Sequence, residues 1–404
     1  MAKKATPKVA APKAAEFRFE DLVESNSLKT VIDIGREQAN YRVYSTGCLM
    51  LDCAIGEADP IKGNMGVPQR TIMEVFGRNQ SNKTALFEQL TKNILLDNPE
   101  NVVFWFYSEE SDMDRWESIG VTKEMQKRVF SLGCFEGEQN FIDTAEKQLD
   151  RIKKAVQDPR VKLVVIDSIK AMCSARMVYD ENGKEKSLAD GYRVAMRASL
   201  MTEFIREFKI HNKRAILGMT NQEMDVLKLT PQDMHSNPQL TFQTPGGRTM
   251  EFECQLRIRS VTTPLETAEH ELTKKKLVYG WDNSFKVIKN KFCKSSTGRV
   301  AVGQFLFEPP GFNRVGAALT LGGYLTTKGL ISPELGVVKG GGGYWTLVGQ
   351  QVRGEDSAIE LLAENEGLVE SLESQVYLHA DKLFKFIADR PKDKKDEPSI
   401  EDII

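Results

Sequence analysis

The stretch Ile72-Met73-Glu74-Val75-Phe76-Gly77-Arg78-Asn79-Gln80-Ser81-Asn82-Lys83-Thr84 joins an apolar strand to a loop that begins with glycine and ends in Lys-Thr. Behind the loop, apolar residues recur every four positions at Leu86, Leu90 and Ile94, which predicts an amphipathic helix. This is the layout of a phosphate-binding P-loop, in which backbone N–H groups and a helix N-terminus hold the phosphates. In the motif, Lys83 reaches the β- and γ-phosphates and the hydroxyl of Thr84 binds Mg²⁺. The sequence therefore predicts a site for a nucleoside triphosphate.

One position of the loop departs from the motif, because Asn82 stands where a glycine is expected. Asparagine is among the few residues other than glycine that adopt left-handed backbone angles at modest cost. We therefore expect the loop to keep its shape with Asn82 in that conformation.

The composition is that of an ordinary soluble protein, with 404 residues, of which 41% are hydrophobic and 28% charged. A net charge of −2 gives no overall attraction to nucleic acid, so any DNA site must be local. The six cysteines form no C-x-x-C pair, and no apolar run approaches the roughly 18 residues of a membrane span. We expect reduced thiols, a cytoplasmic location and no membrane contact.

Strand patterns alternate with helical patterns along the middle of the chain, which indicates an α/β fold with a mostly parallel central sheet. A glycine-rich segment at 339–343 and a helical pattern at 359–388 suggest a small C-terminal α+β lobe. Helices are predicted at residues 17–42, 141–157 and 192–209, and strands at residues 41–45, 72–76, 102–107, 163–166, 215–220, 250–259 and 285–291.

Polar residues follow several of these strands, where they can act on a bound nucleotide. Asp167 ends a run of β-branched residues and is placed to hold Mg²⁺. Glu109 and Glu110 follow the strand at 102–107, where a carboxylate can polarise the attacking water. We favour Glu110, although two adjacent acids leave the register open. Gln222 follows the strand at 215–220 with an amide that can contact the γ-phosphate.

Several short motifs resemble, in the same order, those of the RecA recombinase family. They are Ser45-Thr46-Gly47 with Leu51-Asp52, the P-loop, residues 163–168 (LVVIDS), Asn221-Gln222, Thr244-Pro245-Gly246-Gly247 and Lys289-Asn290-Lys291. The likeness spans roughly residues 40–380, and its divergence is similar to that of bacteriophage-encoded relatives of the UvsX type. Asn82 and a shifted acidic pair depart from the family pattern, and both are expected to slow hydrolysis.

The resemblance implies a RecA-like P-loop core that binds ATP and Mg²⁺ through residues of the loop. The further roles that it implies are Mg²⁺ binding by Asp167 with Thr84, water activation by Glu110 or Glu109, a link from the γ-phosphate to DNA through Gln222, adenine stacking by Trp116 or Arg115, and contact with the neighbouring subunit's nucleotide by Lys289 and Lys291.

The resemblance also places a first DNA loop at residues 176–191 and a second at 223–245. Cations along a groove hold phosphates without reading sequence, and apolar side chains can wedge between bases. A second loop packed on its own domain remains the alternative. The candidate DNA-binding residues are Arg176, Lys184, Lys186, Arg193 and Arg197 near the first loop, and Met224, Met234, Phe242, Gly246, Gly247 and Arg248 in and after the second.

The function implied is an ATP-dependent recombinase, a DNA-dependent ATPase that forms helical filaments on single-stranded DNA and pairs it with homologous duplex DNA in recombination and repair. Further copies of the chain would be partners, with single-strand-binding and mediator proteins as further candidates, in the host-cell cytoplasm if the chain is phage-encoded. A hexameric helicase of the same fold and a DNA-binding filament protein with weak ATPase activity remain alternatives.

The expected organisation has five parts in chain order. They are a disordered basic tail at 1–16, an N-terminal oligomerisation segment at 17–45, a RecA-like ATPase core with two DNA loops at 46–313, a small C-terminal domain at 314–390 and an acidic disordered tail at 391–404.

Overall fold

The computed structural model describes residues 37, 40–107, 113–131, 135–136, 141–142, 144–172, 174–175, 194–225, 242–245, 248–267 and 276–388. The described residues from Arg42 onward belong to one compact unit. The following predicted features lie outside the described residues: both tails, nearly all of the oligomerisation segment, Glu109, Glu110, Arg176, Lys184, Lys186, Arg193, Met234, Gly246 and Gly247. For Arg197, Phe242 and Arg248 only the backbone is described.

The described residues build one large, mostly parallel sheet of nine strands, in the order β16-β15-β14-β13-β4-β10-β9-β5-β6. The six strands from β13 to β6 run parallel to each other, and β14, β15 and β16 extend the sheet antiparallel. The bounds are β4 Ile72–Gly77, β5 Val102–Tyr107, β6 Val129–Ser131, β9 Val161–Asp167, β10 Ile216–Gln222, β13 Leu256–Glu266, β14 Val278–Asn290, β15 Val300–Phe307 and β16 Pro310–Phe312.

Smaller sheets and ribbons complete the β structure of the described part. One three-stranded sheet has the order β1-β3-β2, another the order β17-β18-β19, and two pairs form ribbons, β7 with β8 and β11 with β12. Their bounds are β1 Val43–Tyr44, β2 Glu57–Ala58, β3 Met65–Pro68, β7 Phe135–Glu136, β8 Phe141–Ile142, β11 Met224–Asp225, β12 Phe242–Gln243, β17 Val337–Lys339, β18 Tyr344–Leu347 and β19 Gln350–Arg353.

Helices cover both faces of the large sheet. None in the described part is long and apolar enough to cross a membrane. The α-helices are Leu49–Ile55, Lys83–Asp97, Met113–Ser118, Lys123–Gln126, Ala145–Ala155, Val194–His211, Arg248–Glu253, Arg314–Thr327, Glu355–Glu364, Glu366–Leu378 and Ala380–Ala388, and 3₁₀ turns lie at Ile169–Ala171, Lys294–Ser296 and Gly341–Gly343.

Strand alternation divides the core into two layers. In β9, Leu163 and Val165 face the layer that contains the helix Lys83–Asp97, whereas Val164 and Ile166 face the layer that contains the helix Val194–His211. Because both faces are covered, such strands read as continuous apolar runs, which is how they were predicted. The C-terminal helices pack into the first of these layers, and a domain boundary at residue 314 stays a prediction.

Some predicted elements were wrong in type or extent. Residues 250–259, predicted as one strand, form the end of the helix Arg248–Glu253 and the start of β13, because Met250 and Cys254 are buried at the helical spacing of four. The helix predicted at 141–157 begins only at Ala145, after β8. β14 begins at Val278 and ends at Asn290, not at 285 and 291. The helical pattern at 359–388 belongs to three helices, of which the first starts at Glu355.

Asp52 fixes the turn that leads into the helix Leu49–Ile55. Its fully buried carboxylate accepts hydrogen bonds from the Ser45 hydroxyl at 2.5 Å, the Thr46 backbone N–H at 2.8 Å and the Thr46 hydroxyl at 2.7 Å. Burial raises the pKa of Asp52 to about 7, although these donors favour the ionised form. The folded chain therefore holds this proton more tightly than the unfolded chain, in which the pKa is near 3.8.

We expect the free energy of unfolding to fall as the pH rises from about 4 through about 7, because the stabilisation from protonated Asp52 is lost as the carboxyl ionises. Urea unfolding between pH 5 and pH 9 measures this slope. Asp52→Asn should flatten it, whereas the matched change Asp356→Asn, at an exposed carboxylate, should keep the wild-type slope. An unchanged slope in Asp52→Asn would assign the pH dependence to other groups.

Candidate nucleotide-binding site

The carboxyl ends of the parallel strands meet at one edge of the sheet. Gln222 at the end of β10 is the register partner of Gly77 at the end of β4, and Tyr107 at the end of β5 is the partner of Asp167 at the end of β9. Ligands of open α/β sheets bind outside this edge. The topology thus collects the P-loop, Asp167 and Gln222 in one place, as the sequence predicted.

Gly77 allows the loop to leave the strand at close quarters. A Cβ atom at this position would lie 2.1 Å from the Ser260 carbonyl oxygen and 2.7 Å from the Ser81 hydroxyl. Since the first of these atoms is backbone of the neighbouring strand, no rotamer change can relieve the clash. Glycine is therefore required here by packing.

The loop between Gly77 and Lys83 takes the conformation expected of a phosphate loop. Gln80 and Asn82 have positive φ angles of 59° and 54°, and Asn82 immediately precedes the helix Lys83–Asp97. The prediction that Asn82 adopts left-handed angles is confirmed. Left-handed residues that alternate with other residues turn successive backbone N–H groups toward a common side, which together with a helix N-terminus suits an anion.

Lys83 lies folded over the loop. Its ammonium donates to the Arg78 carbonyl at 2.6 Å, the Ser81 hydroxyl at 3.0 Å and the Gly77 carbonyl at 3.4 Å. Burial lowers the pKa of Lys83, and the Asp167 carboxylate opposes this. The side chain supplies a point charge at the loop, as the motif requires.

The two predicted Mg²⁺ ligands meet directly. The Thr84 hydroxyl donates to Asp167 Oδ2 at 2.6 Å, and the Thr220 hydroxyl donates to Asp167 Oδ1 at 2.6 Å. A hydroxyl and a carboxylate beside a phosphate loop are the hard oxygen ligands that Mg²⁺ prefers. The residues present thus fit the metal, and Thr220 was missed because no motif marks it.

Gln222 joins the P-loop to the segment after Asp167. Its amide donates to Asn79 Oδ1 at 3.2 Å and accepts from the Lys170 ammonium at 2.6 Å. Lys170 was also missed, and the only signal in the sequence was a basic residue three positions after the strand-terminal acid. The polar chain from Asn79 through Gln222 to Lys170 connects the P-loop with the segment that precedes the predicted first DNA loop.

A buried ion pair, also missed, supports the strand beneath the loop. Glu74, fully buried, accepts from Arg257 at 2.6 Å and from the Asn221 amide at 2.8 Å. The same Asn221 amide donates to the Pro245 carbonyl at 2.7 Å, at the end of the predicted second DNA loop. A charge inside the apolar run of β4 was the available signal, because unpaired buried charges are rare.

The position of Trp116 contradicts the prediction that it stacks on adenine. Its side chain is 6% exposed and packs edge-on against Trp105, with ring centroids 5.4 Å apart and planes at 87°. A ring buried in the core offers no face to a nucleobase, so the prediction that Trp116 stacks on adenine is wrong. Arg115, the alternative, forms a bidentate pair with Glu88 of the helix Lys83–Asp97 at 2.7 Å for both bonds, and its role in nucleotide binding stays a prediction.

Contacts within the protein hold the chain segments at the ends of the two predicted DNA loops. Glu146 accepts from the Ser174 hydroxyl at 2.5 Å and from the Ala175 N–H at 2.7 Å, just before the first loop. The second loop starts and ends in the ribbon of β11 and β12, in which Met224 is exposed and is the register partner of Gln243. Contacts of these loops with DNA stay predictions.

Lys289 and Lys291 lie together, as the alternation of side chains along a strand predicted. They lie toward the amino ends of the parallel strands, opposite to the P-loop. Both ammonium groups donate to the Phe252 carbonyl, and Lys289 also donates to the Glu251 carbonyl. Asn290, between the two lysines, is the register partner of Leu256, which in turn is the register partner of Met73 in β4. Met73 lies four residues before Gly77, which corresponds to about 13 Å along the strand. The pair is therefore displaced from the P-loop of its own chain.

Comparison with known proteins agrees with this geometry. The sequence model of the RecA N-terminal domain family matches residues 17–300. Protein RecA of Streptococcus agalactiae serotype III (strain NEM316) is 22% identical over 373 residues, which cover 91% of this chain and 85% of that protein. Protein RecA of Crocosphaera subtropica is 25% identical over 82% of this chain and 81% of that protein. Protein RecA of Thermosynechococcus vestitus is 23% identical over 90% of this chain and 89% of that protein. The family model covers well over half of the chain, which therefore belongs to the RecA family.

Proposed function

We propose that this protein is an ATP-dependent recombinase, which assembles on single-stranded DNA and exchanges it with the matching strand of a homologous duplex. The observation that carries the proposal is the meeting of Thr84 and Asp167 at 2.6 Å beside the P-loop lysine, in a chain of the RecA family. ATP and Mg²⁺ are the ligands that this arrangement fits. A likeness to phage-encoded relatives and a cytoplasmic location, in the host cell if the chain is phage-encoded, are part of the proposal.

Each residue of the site has a distinct task. The N–H groups of the loop and the helix N-terminus bind the phosphates, and Lys83 places a positive charge beside them. Thr84 and Asp167 would hold Mg²⁺, which neutralises negative charge on the phosphates when bound. Thr220 orients the Asp167 carboxylate by its hydrogen bond to Oδ1, so Oδ2, on the side of Thr84, is the oxygen that would bind the metal.

The attacking water requires a base near the end of β5. Glu110, or Glu109 one residue earlier, is the proposed base, since β5 ends at the same edge as Asp167. Gln222 then senses the nucleotide. Its amide is held by Asn79 and Lys170, and a γ-phosphate at the P-loop offers a charged acceptor that competes for the amide donor.

DNA binding is proposed for the two loops that leave this edge. The first loop would hold phosphates through basic residues, and the second would place apolar side chains between bases. The proposed DNA-binding residues are those named from the sequence: Arg176, Lys184, Lys186, Arg193, Arg197, Met224, Met234, Phe242, Gly246, Gly247 and Arg248. Partner proteins that bind single strands or load the filament belong to the same proposal.

Assembly is proposed to complete the site. Lys289 and Lys291 lie about 13 Å of strand away from the level of Gly77, so their own P-loop is out of easy reach. Burial lowers the pKa of Lys289, and the nearby Lys291 ammonium lowers it further. Two cations held together in this way are stabilised by an external anion, and the nucleotide of the next subunit in a filament is that anion.

We expect ATP hydrolysis to be low without DNA and strongly stimulated by single-stranded DNA, measured as phosphate release. Lys83→Ala should lower the stimulated rate by about 100-fold or more, because the phosphates lose a preorganised cation. Lys162→Ala, at another lysine of the sheet, is the control and should keep the rate. Equal rates with and without DNA would contradict the recombinase, and wild-type turnover in Lys83→Ala would remove Lys83 from the site.

Of the two acids, Glu110→Gln should bind ATP yet stall its hydrolysis, because an amide cannot take the proton of the attacking water. The stalled chain should remain on single-stranded DNA, which a gel-shift chase with unlabelled DNA measures. Glu109→Gln is the matched control. If only Glu109→Gln stalls, the catalytic acid is Glu109.

Changing Lys289 and Lys291 together to Ala should leave ATP binding to the single subunit intact and lower DNA-stimulated turnover by about 1000-fold, as removal of a cation supplied in trans does. Lys286→Ala, at an exposed lysine of the same strand, should keep wild-type turnover. Mixing the double variant with Lys83→Ala should restore part of the activity, because some interfaces then join an intact P-loop to an intact lysine pair. Filaments that form without any rescue would exclude the role in trans.

A further inference from the structure

We propose that Asn283 is a positioning residue of the phosphate loop, and that it acts through a side-chain pair with Asn82, the residue that replaces the expected glycine. The Asn82 amide donates to Asn283 Oδ1 at 3.0 Å. Asn283 belongs to β14, which is 201 residues away in sequence and is not part of the P-loop motif. The pair thus joins the phosphate loop to the antiparallel part of the sheet.

The geometry fixes which end of the Asn283 amide faces the loop. Asn283 is fully buried, and its Nδ2 group donates to the Trp281 carbonyl at 3.1 Å and to the Gly303 carbonyl at 3.1 Å. Both donor hydrogens are therefore used within the sheet, and only the oxygen remains for Asn82. A flipped amide would place its oxygen against two carbonyls, so the acceptor facing the loop is set by the sheet itself.

Two neighbours of Asn283 hold the adjacent residues of the loop. The Ser260 hydroxyl donates to the Ser81 carbonyl at 2.5 Å, and the Thr262 hydroxyl donates to the Gln80 carbonyl at 2.9 Å. Thr262 is the register partner of Asn283 across the β13–β14 pair, so the two side chains share a face of the sheet. Three consecutive loop residues, 80 to 82, therefore rest on side chains of these two strands.

The pair gives Asn82 a compensation that a glycine would not have. A glycine adopts left-handed angles without strain, whereas an asparagine at φ 54° carries a modest conformational cost. The hydrogen bond to Asn283 offsets that cost and restricts the residue to the one conformation that the phosphates need. Asn82 and Asn283 are thus expected to act as a unit, which a double-mutant cycle can measure.

The experiment compares four chains: wild type, Asn283→Ala, Asn82→Gly and the double variant. The Kd for a fluorescent ADP analogue, the KM for ATP and kcat are measured for each. Asn283→Ala should weaken nucleotide binding and raise KM about fivefold, the factor that about 1 kcal/mol for one hydrogen bond gives, with a smaller change in kcat. In the Asn82→Gly chain, Asn283→Ala should change Kd and KM by less than twofold relative to the Asn82→Gly chain itself.

An equal factor in both backgrounds would overturn the proposal, because Asn283 would then act only through the strand carbonyls of Trp281 and Gly303. The melting temperature of each chain separates loss of fold from loss of loop positioning. If Asn283→Ala does not fold, Asn283→Ser replaces it, because its hydroxyl can still donate to one strand carbonyl but is too short to reach Asn82. Asn283→Ser should likewise weaken nucleotide binding in the wild-type chain and have little effect in the Asn82→Gly chain. Equal factors in the two chains would again overturn the proposal.

Discussion

The hydrogen bond between the Thr84 hydroxyl and the Asp167 carboxylate joins the first residues of the P-loop helix to the end of a strand 83 residues later in the chain. It can form only if β4, β10 and β9 run parallel and in register, so that their carboxyl ends stand at the same level. The same condition places Thr220 against Asp167 and Gln222 against Asn79. The register of three adjacent strands is therefore the constraint on which the rest of the site depends.

Glu74 fixes the register of β4 against both of its neighbours from inside the sheet, through the ion pair with Arg257 of β13 and the hydrogen bond from Asn221 of β10. A buried ion pair adds little net stability, because desolvation offsets most of the attraction, but an unpaired buried charge costs several kcal/mol. A slip of β13 or β10 along β4 would leave Glu74 without Arg257 or Asn221, so wrong registers are penalised strongly. Since Asn221 also binds the Pro245 carbonyl, the pair connects the nucleotide strand with the end of the second loop.

Much of the core was predictable because its signals are local. The P-loop, the strand that ends in Asp167 and the left-handed Asn82 all follow from short patterns whose physical cause lies within a few residues. Contacts across the sheet have no such signal. Thr220, Lys170 and Asn283 are ordinary polar residues in the sequence, and only the strand order brings them to the site.

The prediction of adenine stacking by Trp116 was wrong for a related reason. An aromatic residue after a strand has the same sequence pattern whether it packs into the core or faces a ligand, and here the T-shaped contact with Trp105 places it in the core. The helix Arg248–Glu253 was missed because residues 250–259 were predicted as a single strand, although Met250 and Cys254 have helical spacing.

The distribution of charge bears on how such a protein can depend on both ATP and DNA. With a net charge of −2, a single chain has no general attraction to a polyanion, so affinity must come from loops that are repeated along an assembly. In the proposed filament, the nucleotide lies between the P-loop of one subunit and Lys289 and Lys291 of the next, so ATP strengthens each interface. Stronger interfaces hold more loops on one strand of DNA, and DNA in turn holds the subunits together. Linkage makes the two effects reciprocal. Because the lysine pair lies about 13 Å along the strand from the level of Gly77, it would act on the P-loop of the neighbouring subunit. In such an assembly, ATP binds more tightly when DNA is present.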